Sequence, residues 1–142
     1  MPAASRTVSI NRSPDDVYAF LLDGTTATKW RSGVMDIALK SGLGVGAVYT
    51  QGVKGPGGRR INADYQITAL EPGKRIAFKA IAGPVRPTGS YQLAREGDGT
   101  SLTFSLDAEL SGLKKLLMGG AVQSTMNAEM QALDRLKAVL EG

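Results

Sequence analysis

A chain of 142 residues with no cysteine, no histidine and a formal charge of +4 is long enough for one core burying about two thirds of its unfolded surface, yet it lacks the side chains most mechanisms use near neutral pH. Ser-His-Asp and Cys-His catalysis, disulfides and thiolate metal sites are excluded, and no cluster of acids suggests a carboxylate-only Mg²⁺ or Ca²⁺ site, so neither metal nor cofactor is expected. Hydrophobic residues at 42% against 21% charged indicate a soluble globular protein, and basic residues scattered singly or in pairs such as Arg59-Arg60 and Lys114-Lys115 give no stripe for nucleic acid. No apolar run nears the roughly 18 residues of a membrane span and MPAASRTVSI has no apolar signal core, so a cytoplasmic protein without an integral membrane segment is expected.

In chain order, a strand is predicted around Arg6 to Asn11, where Val8 and Ile10 alternate with polar neighbours. Ser13 then reads as a helix N-cap, Pro14 as the first helical residue and Asp16 as a carboxylate variant of the capping box, with Val17, Phe20 and Leu21 on one face and Gly24 as the stop. A second short polar helix follows and ends on the only tryptophan, Trp30. Glycine- and proline-marked breaks at 42–46, 55–58, 71–74 and 96–99 separate strand-like runs near 34–40, 47–54, 59–70, 75–82, 88–95 and 100–110. The joining segments are too short for parallel crossovers, so a meander of hairpins is expected. From Ser111 the period becomes helical, with Val122, Met126, Met130, Leu133, Leu136 and Leu140 near one face. Gly119-Gly120 predicts a break between a short piece at 111–118, free to swing as a lid, and a main helix over 121–140. The expected fold is α+β: a single domain over 1–142 in which a curved antiparallel sheet of about seven strands wraps a long C-terminal helix, with two short helices after the first strand.

This order and its local wording resemble the START-like or SRPBCC superfamily, most closely its polyketide cyclase/dehydrase and lipid-transport branch. The resemblance is carried by SPDDVYAFLLD with Trp30 closing the second helix, GVGAVYTQ, ITALEPGKRIAF, the pair TGSYQL and GDGTSLTFSL, and SGLKKLLMGG before MNAEMQALDRLKAVLE. It spans nearly the whole chain. One departure is Gly119-Gly120, where such proteins often carry a proline. The resemblance implies a helix-grip fold whose sheet and long helix enclose a cavity for a small apolar molecule, with Trp30 either near the cavity rim or a core plug.

The pleat proposes a lining by itself, because residues two apart share a face. Tyr65 falls on the inward row of 61–67 with Ile61, Ala63 and Ile67; Phe78 follows with Ile76, Tyr91 with Leu93, and Phe104 with Leu102 and Leu106. Tyr49 and Gln51 are assigned inward on their strand. Met35, Met118, Met126 and Met130 add adaptable apolar surface. Such a lining suits a carrier or sequestering protein, monomer or homodimer, for a small hydrophobic or aromatic molecule. The alternative is an enzyme like the polyketide cyclases or dehydratases of the resembling branch, working without metal or histidine on an aromatic or ketide substrate. Asp64, Lys79 and Asp107 are expected to point outward, which leaves tyrosines, Gln51, Arg31 and Arg86 as candidate proton donors or enolate stabilisers. An ionisable group inside the cavity would favour the enzyme.

Overall fold

The computed structural model describes residues 2–83, 85–110 and 112–142, and within them all side chains except those of 56 and 113–118. Strand β1 (Ala3–Ile10) begins before Arg6 because every residue from Ala3 onward finds a partner on the last strand, from Ala3 opposite Asp107 to Ile10 opposite Thr100. Helix α1 (Pro14–Leu22) starts as its wording predicts: Ser13 Oγ accepts the Asp16 N–H at 3.2 Å and Pro14 takes the position whose N–H would be orphaned. Asp23 ends it and caps the next element, its carboxylate accepting the Thr25 N–H at 3.1 Å. That element is a 3₁₀ helix over Gly24–Lys29, closed where Trp30 donates its N–H to the Ala27 carbonyl.

The strands β2 (Val34–Ser41), β3 (Val48–Lys54), β4 (Arg60–Asn62), β5 (Tyr65–Glu71), β6 (Arg75–Ala80), β7 (Thr88–Glu96) and β8 (Gly99–Asp107) form with β1 one antiparallel sheet in the order β1-β8-β7-β6-β5-β3-β2, with β4 added beside β3. The run 59–70, expected as one strand, is two. The chain leaves the ladder at Ala63-Asp64, where the Asp64 carboxylate accepts the Gln51 N–H at 3.0 Å and its carbonyl accepts the Ile81 N–H at 2.8 Å. Those bonds, with that of the Ala63 N–H to the Gln51 carbonyl at 2.8 Å, stand in for ladder bonds at the break.

Helix α2 (Gly112–Gln131) runs through Gly119-Gly120 without interruption, which removes the expected break and the lid about it. Propensity lost here to packing: the two glycines cost roughly 1 kcal/mol each against alanine, and burial of Met126 and Met130 farther along the same helix offsets that. The irregularity falls instead at Ala132, after which α3 (Leu133–Glu141) follows directly, with Leu136 N–H bonded to the Ala132 carbonyl at 3.0 Å. Both helices pack on β1. Leu133 and Leu136 are 0% exposed and Phe104 1%, and full burial of such side chains is worth roughly 1.5–3 kcal/mol each. The concave sheet gripped on a long terminal helix leaves a hollow between them.

Candidate functional site

That hollow is a cavity of about 550 Å³. Its floor is aromatic. The floor is part of a row with one ring from each of five neighbouring strands, the Tyr49 ring lying behind the wall: Tyr49 of β3 stacks on Tyr65 of β5 (centroids 5.1 Å, 13°), Tyr65 meets Phe78 of β6 at 5.6 Å, Phe78 meets Tyr91 of β7 at 5.9 Å, and Tyr91 stacks on Phe104 of β8 at 4.7 Å. Register builds this row, since Tyr49 lies opposite Tyr65 and Tyr91 opposite Phe104. Opposite Phe78 stands Gly89, and there a Cβ would come within 2.7 Å of the Phe78 ring and 2.9 Å of Leu106, so only glycine lets the ring lie flat. Trp30 closes the row edge-on to Tyr91 and Phe104 at 6.3 and 6.2 Å. It is 3% exposed and forms inner wall, not rim.

Of the residues proposed from the pleat and the resemblance, Trp30, Gln51, Tyr65, Phe78, Tyr91, Phe104 and Met126 line the cavity. Two do not. Tyr49 lies behind Tyr65, its hydroxyl accepting the Gly24 N–H and donating to the Leu22 carbonyl, both at 3.4 Å, so it ties the sheet to the end of α1. Met35 is 45% exposed on β2. A bulge between Val34 and Asp36 takes Met35 out of the β2–β3 register, and it does not line the cavity, so the adaptable apolar surface expected of it is not part of the wall. Met118 belongs to the stretch whose side chains lie outside the described ones. Arg86 is exposed, and its guanidinium bonds the nearby Gly83 carbonyl at 3.4 Å.

The polar centre of the cavity is Arg31, whose partner Glu129 the sequence reading missed. Arg31 follows Trp30 directly and is pinned by its N–H bond to the Ala27 carbonyl at 2.8 Å. Its guanidinium reaches α2, donating from Nε to Glu129 Oε2 at 2.7 Å and from Nη2 to Oε1 at 3.2 Å, while Nη1 donates to Gln51 Oε1 at 3.0 Å. Gln51 is held in turn by its amide bond to the Ala63 carbonyl at 3.1 Å. Both charged side chains are 15% exposed. Burial alone would drive the guanidinium toward neutrality, but Glu129 more than offsets it and holds the Arg31 pKa above its ordinary value. Three of its five N–H donors are taken among the described residues, leaving one on each terminal nitrogen.

Burial raises the Tyr65 and Tyr91 phenols above their ordinary value, against the pull of nearby Arg31, so both remain protonated donors. Neither hydroxyl bonds a described residue, and no fully occluded side-chain nitrogen or oxygen is left without a partner. Both hydroxyls therefore open on the cavity. The same space is also lined by Leu21, Leu22, Gly24 and Ala27 of α1 and the 3₁₀ helix, and by the exposed residues Lys54, Asn62, Ala121 and Thr125. Among the described residues no group of three or more acids forms a metal-holding cluster, and no helix is long and apolar enough to cross a membrane.

The family model described as polyketide cyclase / dehydrase and lipid transport matches residues 1–141. The chain belongs to this family. Solved structures share the fold across almost the whole chain. TTHA0849 from Thermus thermophilus is 18% identical, covers 96% of this chain and 95% of its own, and has a TM-score of 0.81. A START superfamily protein from Mycobacterium smegmatis is 15% identical with coverage of 98% and 97% and a TM-score of 0.80. StfQ, a di-domain ARO/CYC from the steffimycin biosynthetic pathway, is 16% identical with a TM-score of 0.78; the match covers 98% of this chain and 50% of StfQ. Likeness at such identity establishes the helix-grip fold and leaves the ligand open. No curated protein matches the chain.

Proposed function

We propose that this protein carries or sequesters a neutral, largely aromatic small molecule that bears a carbonyl or phenol oxygen, held in the cavity with that oxygen toward Arg31. The observation that carries the reading is the composition of the wall: an aromatic floor with two tyrosyl hydroxyls and two guanidinium N–H groups that no described residue takes. Donors ask for an acceptor. Charge then narrows the class, because Glu129 already neutralises Arg31. A free carboxylate would bring an uncompensated negative charge into an enclosed space, whereas a ketone, quinone or phenol brings none.

The test is a matched pair of ligands followed by quenching of Trp30, the only tryptophan. A hydroxylated anthraquinone is expected to bind, and a saturated fatty acid of similar volume to bind about tenfold more weakly or worse. Equal affinity, or preference for the fatty acid, refutes the role given to Arg31. A cavity that takes neither refutes the reading as a whole. A second reading, a metal-free cyclase or dehydratase, draws support from the same ion pair, since Arg31 beside two phenols could stabilise an enolate while Glu129 accepts a proton. Chromatography of a poly-β-ketone analogue after incubation separates the two: a carrier returns it unchanged.

A further inference from the structure

Every large hydrophobic side chain exposed among the described residues lies in one hairpin: Met35 and Leu39 on β2, and Leu43 and Val45 at the tip between β2 and β3, the last two 86% and 62% exposed. The tip reads Gly42-Leu43-Gly44-Val45-Gly46, with the three glycines at φ of 77°, 74° and 93°. Side chains other than glycine seldom adopt that conformation, so the alternation fixes which residues project. The loop is also anchored, Ala47 N–H bonding the Gly44 carbonyl at 3.1 Å and Gly46 N–H the Ile67 carbonyl at 2.8 Å. Leu43 and Val45 are thus held out into water by a braced backbone, and neither touches the cavity.

We propose that this tip docks the protein on an anionic lipid bilayer by inserting Leu43 and Val45 below the headgroups. Size selects the occupant. A stable protein partner needs roughly 800 Å² from each side, which two side chains on a narrow tip do not supply, while insertion between lipids needs only the side chains themselves. Charge agrees. From Ile37 to Val53 the sole charged residue is Lys40, beside the tip, and the whole chain carries +4, which favours an anionic surface and opposes a second copy. The bulges that flank Asp36–Leu39 on β2 twist its free edge and hinder pairing with another strand.

The experiment is co-sedimentation with vesicles of phosphatidylcholine alone and of phosphatidylcholine with about one third phosphatidylglycerol. The expected result is sedimentation with the anionic vesicles, weakened about tenfold or more in the double variant Leu43→Asp, Val45→Asp and more modestly in Lys40→Glu. Because the tip is exposed, the double variant is expected to keep the melting temperature and the cavity binding of the wild type. Absence of wild-type sedimentation with either vesicle overturns the proposal, as does equal sedimentation of the double variant. So does a wild-type dimer in sedimentation velocity that the double variant converts to monomer, which would assign the tip to self-association.

Discussion

The Arg31–Glu129 pair should add little net stability to the fold, and replacing both partners should show it. In Glu129→Met the guanidinium, 15% exposed, loses two charge-assisted hydrogen bonds of 2.7 and 3.2 Å. Breaking a fully buried pair typically costs 3–5 kcal/mol, and the open cavity lets water reach this one, so about 2–3 kcal/mol is expected. Arg31→Met strands Glu129 and leaves Gln51 Oε1 without its donor, a loss of similar size. The double change Arg31→Met, Glu129→Met removes both charges and fills the space with apolar side chains, and it should stand within about 1 kcal/mol of the wild type. Urea unfolding followed by Trp30 fluorescence measures all four corners of the cycle, with calorimetry expected to show each single variant melting about 6–12 °C lower. The double variant should also lose the preference for an anthraquinone over a fatty acid while still binding an unsubstituted aromatic. Additive penalties, leaving the double variant about 4–6 kcal/mol down, would refute the argument, because they would mean that each charge is held by other groups and not by its partner.

Tyr65→Phe removes a hydroxyl that bonds no described residue, so affinity for a carbonyl ligand should fall by about 0.5–1.5 kcal/mol in a Trp30 titration while the melting temperature hardly moves. Gly24→Ala places a Cβ 2.8 Å from the Tyr49 ring and against the Tyr65 hydroxyl, so a loss of roughly 1–3 kcal/mol with reduced ligand capacity is expected in denaturant unfolding and binding titration. Gly119→Ala and Gly120→Ala should each raise stability by about 0.5–1 kcal/mol, since α2 is continuous there and neither added Cβ meets an atom of the described residues within 4 Å. Burial raises Tyr65 and Tyr91 above the ordinary 10.0, so their contribution to stability is complete below pH 10.0 and drains as pH climbs toward their folded values. In an alkaline titration watched by phenolate absorbance, these two should ionise only as the chain unfolds, and ordinary titration of all four tyrosines in a still-folded protein would contradict the burial.

The fold was legible because its signals are local and agree with one another. Ser13, Pro14 and Asp16 cap a helix by their own hydrogen bonds, and the turn at 71–74 needs its glycine at φ 72°. The aromatic floor was legible in part for the same reason: Tyr91 and Phe104 sit on strands whose alternation is regular near them, while Tyr65 follows the break at Ala63-Asp64 and Phe78 shares β6 with adjacent buried Ile76 and Ala77. Legibility failed where the periodic pattern meets an irregularity that only pairing reveals. The bulge that exposes Met35 and the break that divides 59–70 into β4 and β5 depend on which strand lies alongside, and Gly119-Gly120 carries a real propensity cost that long-range packing overrides.

The polar centre was hidden for a different reason: it joins residues 98 positions apart, from a 3₁₀ turn and a helix that share no local pattern. One signal did exist. Val122, Met126, Met130 and Leu133 define the inward stripe of the C-terminal helix, and Glu129, three residues after Met126 and beside Met130, falls on it. A carboxylate on an apolar stripe must either disrupt the helix packing or find a cation, and a chain with no histidine must find that cation among its lysines and arginines. Arginine is the residue suited to a buried, bidentate partner, and Arg31, anchored beside the buried Trp30, is the one the fold carries there. An aliphatic pair at these positions would hold the fold about as well. That the chain instead keeps two charges in the wall of a cavity, with guanidinium donors that no described residue takes, is the strongest reason to regard the cavity as a site shaped around a molecule and not as a packing defect.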